Sequence, residues 1–449
     1  VTSMSDNANY RLLANMNIGF WGAQVANGLQ TANASAIFES LGAEASQLPL
    51  LWLGAPIMGL VVQPIIGELS DCTWCVWGRR QPFFVTGAIL GFGMIILMPN
   101  STHLWQAVVI YWLLQFGLNV GTAPARSFVG DLLPSAQRTL GYSIQGFCIG
   151  LGAIAASMLP WLLEKIPAVE STAEVGVPTT ICWAYYVGAV LYLVSALWTY
   201  WTVKEAPPAP DVLEKPIGSV FKRIAEAFTQ MPPIMRQLAG VQLFTWFGVY
   251  CTFLYLPTAI AINILGAPNK QSPDYVHGIE WAGICIAFYN LICLGTSLLI
   301  TPLSRRWGKV TIYAVCLMCG TVGLLSLALI HSRYPILLSM VGIGIAWAGI
   351  LSIPYALLID SLPDERSGVY MGLFNCFLAL PQIVMSLSFG WIMTTFLQSD
   401  RLWALLLGGV FFGISALLML RVTEPEAIVE SEVESETINR DKNLAAIGD

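Results

Sequence analysis

The chain has 449 residues, 56% hydrophobic and only 11% charged, with a formal net charge of −6. Soluble domains carry about 25% charged residues, so this composition excludes a water-solvated globule and gives no reason to expect a nucleic-acid partner. It points to a chain that lives in a lipid bilayer. A helix needs about 20 apolar residues to cross the hydrocarbon core, and open strands would leave backbone groups unpaired there. The apolar runs predict twelve spans, at 13–38, 49–70, 82–99, 104–131, 140–163, 180–203, 237–263, 278–301, 309–330, 336–360, 369–394 and 402–421. The expected fold class is an all-α membrane protein with twelve transmembrane helices. The first ten residues are polar and the first apolar run is too long for a signal peptide, so that run is expected to remain as a span.

In span one, Asn17, Gln24, Asn27, Gln30 and Asn33 place five amides in a single helix. Asn17, Gln24 and Asn27 fall within about 80° of arc at 3.6 residues per turn. Amides offer both donor and acceptor to hydroxyl groups, which suits a hydrated cavity; the alternative role is gluing helices together. Span two adds Gln63 and leads into GELSDCTWCVWGRR, where Asp71, Arg79 and Arg80 are candidate gating residues. The alternative for the arginines is simple anchoring at the membrane surface. Cys72 and Cys75 form a C-x-x-C here, and Cys316 and Cys319 another in span nine. Zinc needs four converging ligands, and His103, His277 and His331 all fall at the opposite membrane face, so no metal and no cofactor is expected.

Span four reads LLQFGLNVGTAPARSFVGDLLP and carries Gln115, Asn119, Arg126 and Asp131. Intramembrane charges are candidates for function by default, and Arg126 lies roughly 7–8 Å of helix rise from the end of the span. Residues 204–236 begin KEAPPAPDVLEKP and continue in an amphipathic stretch, IGSVFKRIAEAFTQ, expected to lie along the membrane surface. This linker separates six spans in 1–203 from six in 237–421, and an acidic tail occupies 422–449. Later spans contribute the aromatic residues Trp246, Tyr250, Tyr289 and Trp347, the amides Asn290, Asn375 and Gln382, and the helix-end acid Asp360. Aromatic residues also form membrane-interface belts.

With both termini cytoplasmic, sixteen of the 21 Lys and Arg residues fall on the inner side and four, Lys165, Lys270, Arg333 and Arg401, on the outer side. Arg126 alone lies within a span. This asymmetry obeys the positive-inside rule and supports an even number of spans. The two halves also resemble each other. Asp131 and Asp360 each open an Asp-x-Leu-Pro, and WGRR after span two answers WGKV after span eight, so Gly78 matches Gly308. The two offsets differ by one residue, which implies two six-helix pseudo-repeats.

The pattern G-x-L-x-D followed by G-R-R, here Gly67 to Arg80, resembles the signature of the major facilitator superfamily. LWLGAPIMGLVVQPIIGELSD resembles the second span of sucrose transporters in the glycoside–pentoside–hexuronide family. PARSFVGDLLP, FTWFG at 244–248, SIPYAL and PQIVMS are similar to its spans four, seven, ten and eleven. The resemblance implies a secondary transporter with the major facilitator fold, moving a glucoside such as sucrose or maltose by alternating access, with protons as a second partner. The candidate sugar-binding residues are then Gln24, Asn27, Gln30, Gln63, Gln115, Asn119, Arg126, Trp246, Tyr250, Tyr289, Asn290, Trp347, Asn375 and Gln382. The resemblance makes Asp71, Arg79, Arg80, Asp131 and Asp360 the gating set. The chain departs from the family at Gln115, eleven positions before Arg126, where proton symporters of the family carry an aspartate. Glutamine cannot titrate, so an uncoupled facilitator is the alternative, and a non-transporting sugar sensor a further one. The short linker and tail argue against a sensor. No nucleophile–base pair, P-loop or dinucleotide motif suggests an enzyme. The expected setting is a plasma or inner membrane, with the protein a multi-pass monomer. No buried carboxylate is expected in its interior.

Overall fold

A computed structural model describes residues 10–133, 135–166, 177–205, 231, 233–270, 272–359 and 367–423. Asp360, the amphipathic linker stretch and the acidic tail lie outside the described residues, as does the side chain of Asp71. The first half holds α1 (Tyr10–Ser40), a single turn α2 (Leu48–Leu51), α3 (Gly54–Cys72), α4 (Gln81–Leu97), α5 (Leu104–Leu132), α6 (Ser135–Glu164) and α7 (Thr179–Thr202). The second half holds α8 (Pro233–Ala259), α9 (Pro273–Trp307), α10 (Lys309–Ser326), α11 (Ile336–Ile359), α12 (Ser367–Thr395) and α13 (Arg401–Met419). All twelve of the long helices coincide with expected spans, but eleven are apolar enough to count as membrane-crossing on composition. The exception is α1: its six amides, Asn15 among them, dilute the apolar content that such a criterion measures.

Helix ends follow their local chemistry. The Ser272 hydroxyl accepts from the Tyr275 amide at 3.2 Å, with Pro273 and Asp274 in the first turn, so α9 begins with a side-chain cap. It stops at Gly308, whose φ of 81° favours glycine, just after Arg305 and Arg306. Asp400 caps α13 by accepting from the Leu402 amide at 2.8 Å.

Packing follows the same plan in both halves. In the first, α1 lies on α6 and α7, α4 on α5 and α7, and α3 on α5. In the second, α8 lies on α12 and α13, α10 on α11 and α13, and α9 on α11. The outer surface is studded with exposed apolar side chains such as Trp105, Leu298, Leu338 and Leu387, which water would penalise and lipid solvates. Among the described residues the halves meet chiefly where α6 packs on α9, α3 and α2 on α12, and α1 on α8 and α9. We call the end where α1 starts and α13 finishes the termini end, and its opposite the far end.

Two glycines let backbones from opposite halves meet. A Cβ on Gly283 of α9 would sit 2.3 Å from the Ser157 carbonyl oxygen of α6, and one on Gly390 of α12 would sit 2.5 Å from that of Ser46. Neither approach tolerates a side chain. Gly283→Ala is expected to force α6 and α9 apart at a cost of about 1–3 kcal/mol and to lower the unfolding midpoint in detergent. Gly295→Ala on the same helix meets nothing within 4 Å and should leave the midpoint unchanged or higher; equal behaviour of the two variants would refute the close-packing account.

Candidate functional site

The amides of α1 first satisfy themselves. The side-chain nitrogens of Asn17, Asn27, Gln30 and Asn33 donate to the carbonyls four residues back, at 2.7, 3.1, 3.4 and 3.0 Å. That arrangement uses a donor and leaves the oxygen of each amide free to accept from elsewhere. Gln30 uses that capacity: its Oε1 accepts from Gln115 Nε2 of α5 at 2.7 Å. One turn along α5, Asn119 donates to the Gln115 carbonyl at 2.8 Å and accepts from Gln63 Nε2 of α3 at 2.7 Å. Gln30, Gln115, Asn119 and Gln63 thus form one amide chain across three helices of the first half. Gln30 and Gln115 are buried and Gln63 is half-buried. Gln24 is half-buried where α1 meets α6, its Cβ close against Gly152.

The second half contributes rings. Trp246 stands edge-on to Trp347 at 6.4 Å between centroids, and its Nε1 donates to Gln242 Oε1 at 3.1 Å. Trp347 also meets Phe253 at 5.3 Å. Tyr289 and Trp347 line a void of about 10 Å³ together with Thr252 and Phe412, room for one water and no more. Asn290 and Gln382 donate to their own helices, at 2.8 and 2.9 Å. Asn375 and Arg126 are exposed, and Arg126 lies within electrostatic range of Tyr355 on α11. Tyr250 stands apart from the other aromatic residues: its hydroxyl donates to the Pro49 carbonyl at 2.9 Å across the halves and is also hydrogen-bonded to Ser386.

The candidate gating residues described at the termini end make their hydrogen bonds within the first half. Arg80 Nε meets Asp131 Oδ2 at 2.8 Å, and its Nη1 donates to Ser70 Oγ. Arg79 Nε donates to the Ser70 carbonyl at 3.3 Å. Glu205, which the sequence did not single out, accepts from the amides of Arg79, Arg80 and Gln81 at 2.6, 2.8 and 2.8 Å. It caps the start of α4 from the strand of chain after α7, where a carboxylate is favoured by the helix dipole.

The far end ties one half to the other. Glu39, at the end of α1 and 0% exposed, is gripped by Arg401 of α13 through Nε at 2.9 Å and Nη2 at 3.0 Å. Lys270 approaches Glu39 at 3.9 Å and donates to the Ala43 carbonyl at 2.6 Å. Burial pulls the Lys270 ammonium below its ordinary pKa, a shift that the neighbouring Glu39 carboxylate opposes. The Tyr255 hydroxyl donates to the Ala45 carbonyl at 2.9 Å. These residues correct the expectation of an interior without buried carboxylates, because Glu39 and Glu280 are both buried. The far-end cluster had one sequence signal: only four cations face that side, and two of them converge on one acid. The other two, Lys165 and Arg333, sit over Trp161 and Trp281.

Residues 16–386 match the family model described as Major Facilitator Superfamily. The chain is 25% identical over 456 residues to the sucrose transport protein SUT5 of Oryza sativa subsp. indica, covering 89% of this chain and 85% of that protein. It is 23% identical to the sucrose transport protein SUC4 of Arabidopsis thaliana, covering 82% and 81%. With the general alpha-glucoside permease of Schizosaccharomyces pombe it shares 23% over 63% of this chain and 54% of the permease. Among solved structures, the nucleoside transporter NupG superposes with a TM-score of 0.69 at 13% identity, covering 92% of this chain and 100% of NupG. A bacterial homologue of the human lysosomal transporter Spinster gives 0.65 at 12%, covering 93% and 98%. The relatives are transporters, not enzymes.

Removing one partner of a buried ion pair strands the other at about 3–5 kcal/mol. Glu39→Gln is therefore expected to open the far end. Ala45→Cys, a buried position, should then react at least tenfold faster with a membrane-impermeant maleimide than in the unmodified background. An unchanged rate would mean that the Glu39–Arg401 pair does not hold this end shut.

Proposed function

The chain belongs to the major facilitator superfamily, and from that premise we propose that it is a secondary transporter of sugars, with a glucoside of the sucrose or maltose type as its cargo. The observation that carries this reading is the amide chain Gln30–Gln115–Asn119–Gln63, set in a sequence whose likeness to sucrose transport proteins runs over most of its length. Each amide can exchange its protein partner for a sugar hydroxyl without moving a charge. In this reading twelve spans form two pseudo-repeats, 1–203 and 237–421, joined by the cytoplasmic linker 204–236 and followed by the tail 422–449. The sugar binds between them.

Gln24, Asn27, Gln30, Gln63, Gln115, Asn119 and Arg126 present hydrogen-bonding groups from the first half. Trp246, Tyr250, Tyr289, Asn290, Trp347, Asn375 and Gln382 present ring faces and amides from the second. Both termini face the cytoplasm, which makes the far end external, and the protein works as a monomer in a plasma or inner membrane. Transport proceeds by alternating access: the far-end ties among Glu39, Arg401, Lys270, Tyr250 and Tyr255 break as Asp71, Arg79, Arg80, Asp131 and Asp360 close the termini end. A ligand shifts such an equilibrium only by binding one state better than the other.

Import is driven by a proton gradient, as the resemblance implies. A second reading, facilitation without coupling, is favoured by Gln115, because the position that carries an aspartate in coupled relatives cannot titrate here. Uptake of radiolabelled mono- and disaccharides into proteoliposomes with an imposed pH gradient separates the two. Symport predicts accumulation of a glucoside that an uncoupler abolishes; facilitation predicts equilibration indifferent to it. Uptake of none of the sugars would remove the sugar reading.

Gln115→Asp tests the coupling argument itself. A carboxyl at this position can gain and lose a proton, which an amide cannot, so transport should gain a pH dependence that the parent lacks. A flat profile in the variant would take Gln115 out of the coupling mechanism.

A further inference from the structure

Glu164, at the end of α6 in the first half, meets His277 and Glu280, one turn apart near the start of α9 in the second. His277 Nδ1 lies 3.1 Å from Glu164 Oε1 and 3.3 Å from Glu280 Oε2, and one ligand atom from each residue falls within 4.8 Å of the others. Glu280 is 3% exposed, and its second oxygen, Oε1, and the nearby Thr180 hydroxyl are both buried without a hydrogen bond of ordinary geometry. A buried carboxylate beside a second carboxylate, incompletely satisfied by neutral donors, calls for a cation. The His277 and Glu164 side chains remain 47% and 29% exposed, which leaves a path to the site from the aqueous phase.

We propose that Glu164, His277 and Glu280 form a site for a divalent transition-metal ion, best matched by zinc, that bridges the two halves and locks the far end closed. Tetrahedral zinc with bonds of about 2.0–2.1 Å places neighbouring ligand atoms about 3.3 Å apart. The separations of His277 Nδ1 from the two carboxylate oxygens, 3.1 and 3.3 Å, are compatible with that spacing. One imidazole and two carboxylates give three protein ligands and an open fourth position. The imidazole selects against calcium and magnesium, which take all-oxygen sets. Because Glu164 comes from one half and the other two ligands from the other, bound metal would have to be released before α6 and α9 could part. The ion is therefore a brake, separate from the amide chain and independent of the cargo. Spacing alone does not reveal the site, since Glu164 lies more than 100 residues before His277 and Glu280 in the chain.

The test uses the full chain purified in detergent and stripped with a chelator. Equilibrium dialysis against micromolar zinc, followed by elemental counting, should give one more zinc per chain in the parent than in His277→Ala, Glu280→Gln or Glu164→Gln. The cysteines contribute the same background to all four proteins. Zinc should raise the unfolding midpoint of the parent by several degrees, because an ion held by the folded state stabilises it; each variant should lose that shift. Glu164→Gln replaces a part-exposed side chain and retains the fold even if the buried substitution does not. Equal zinc counts in all four proteins would overturn the proposal, as would an equal midpoint shift with calcium. A proton shared by the carboxylates would show instead as a changed pH dependence of the Glu280→Gln midpoint with no zinc difference, and that result also overturns it.

Discussion

Hydrocarbon offers no hydrogen bond, so every polar group carried into it must find a partner within the protein. That constraint organises the whole molecule. It turns the backbone into helices, sends exposed apolar side chains outward and collects amides and ions where helices meet. The amides of α1 show how far it reaches: four of them bond to their own helix before they bond to anything else. Only Gln30 then extends into a chain between helices, through Gln115. A chain of neutral amides suits a carrier, because amide bonds can be exchanged for sugar hydroxyls at little net cost. An ion pair in the same place would hold too firmly.

The two ends of the molecule use charge differently. At the termini end, Arg80 and Asp131 pair within one half, and Glu205 fastens the start of α4 to the chain beyond α7. At the far end, Glu39 joins α1 to α13, Tyr250 reaches across to α2, and Tyr255 to the α1–α2 connection. Charge placed between halves resists their separation; charge placed within a half preserves its shape. The structure accordingly holds its far end closed. Gly283 and Gly390 allow the backbones to meet there without intervening side chains.

Local regularities made much of this legible in the sequence. Apolar runs marked the twelve long helices among the described residues. The amide chain was legible as a set of residues but not as a set of bonds, since spacing along α1 does not reveal which amide meets α5. The far-end clamp was missed for a different reason. Glu39 fell one residue beyond the expected end of span one, and its partner Arg401 is 362 positions away. Separation in sequence likewise hid the meeting of Glu164 with His277 and Glu280. Pairing across halves depends on how the bundles dock, and no local pattern carries that information.

The central claim is that two helical halves rock about the amide-bearing core, opening one end as the other closes. The most direct measurement is a pair of spin-label distances across the halves, one at the far end between Glu44 and Thr395 and one at the termini end between Trp77 and Trp307, all exposed positions. Adding a transported glucoside should change the two distance distributions in opposite senses, the far end widening as the termini end narrows. Distances that stay fixed, or that widen together, would contradict alternating access.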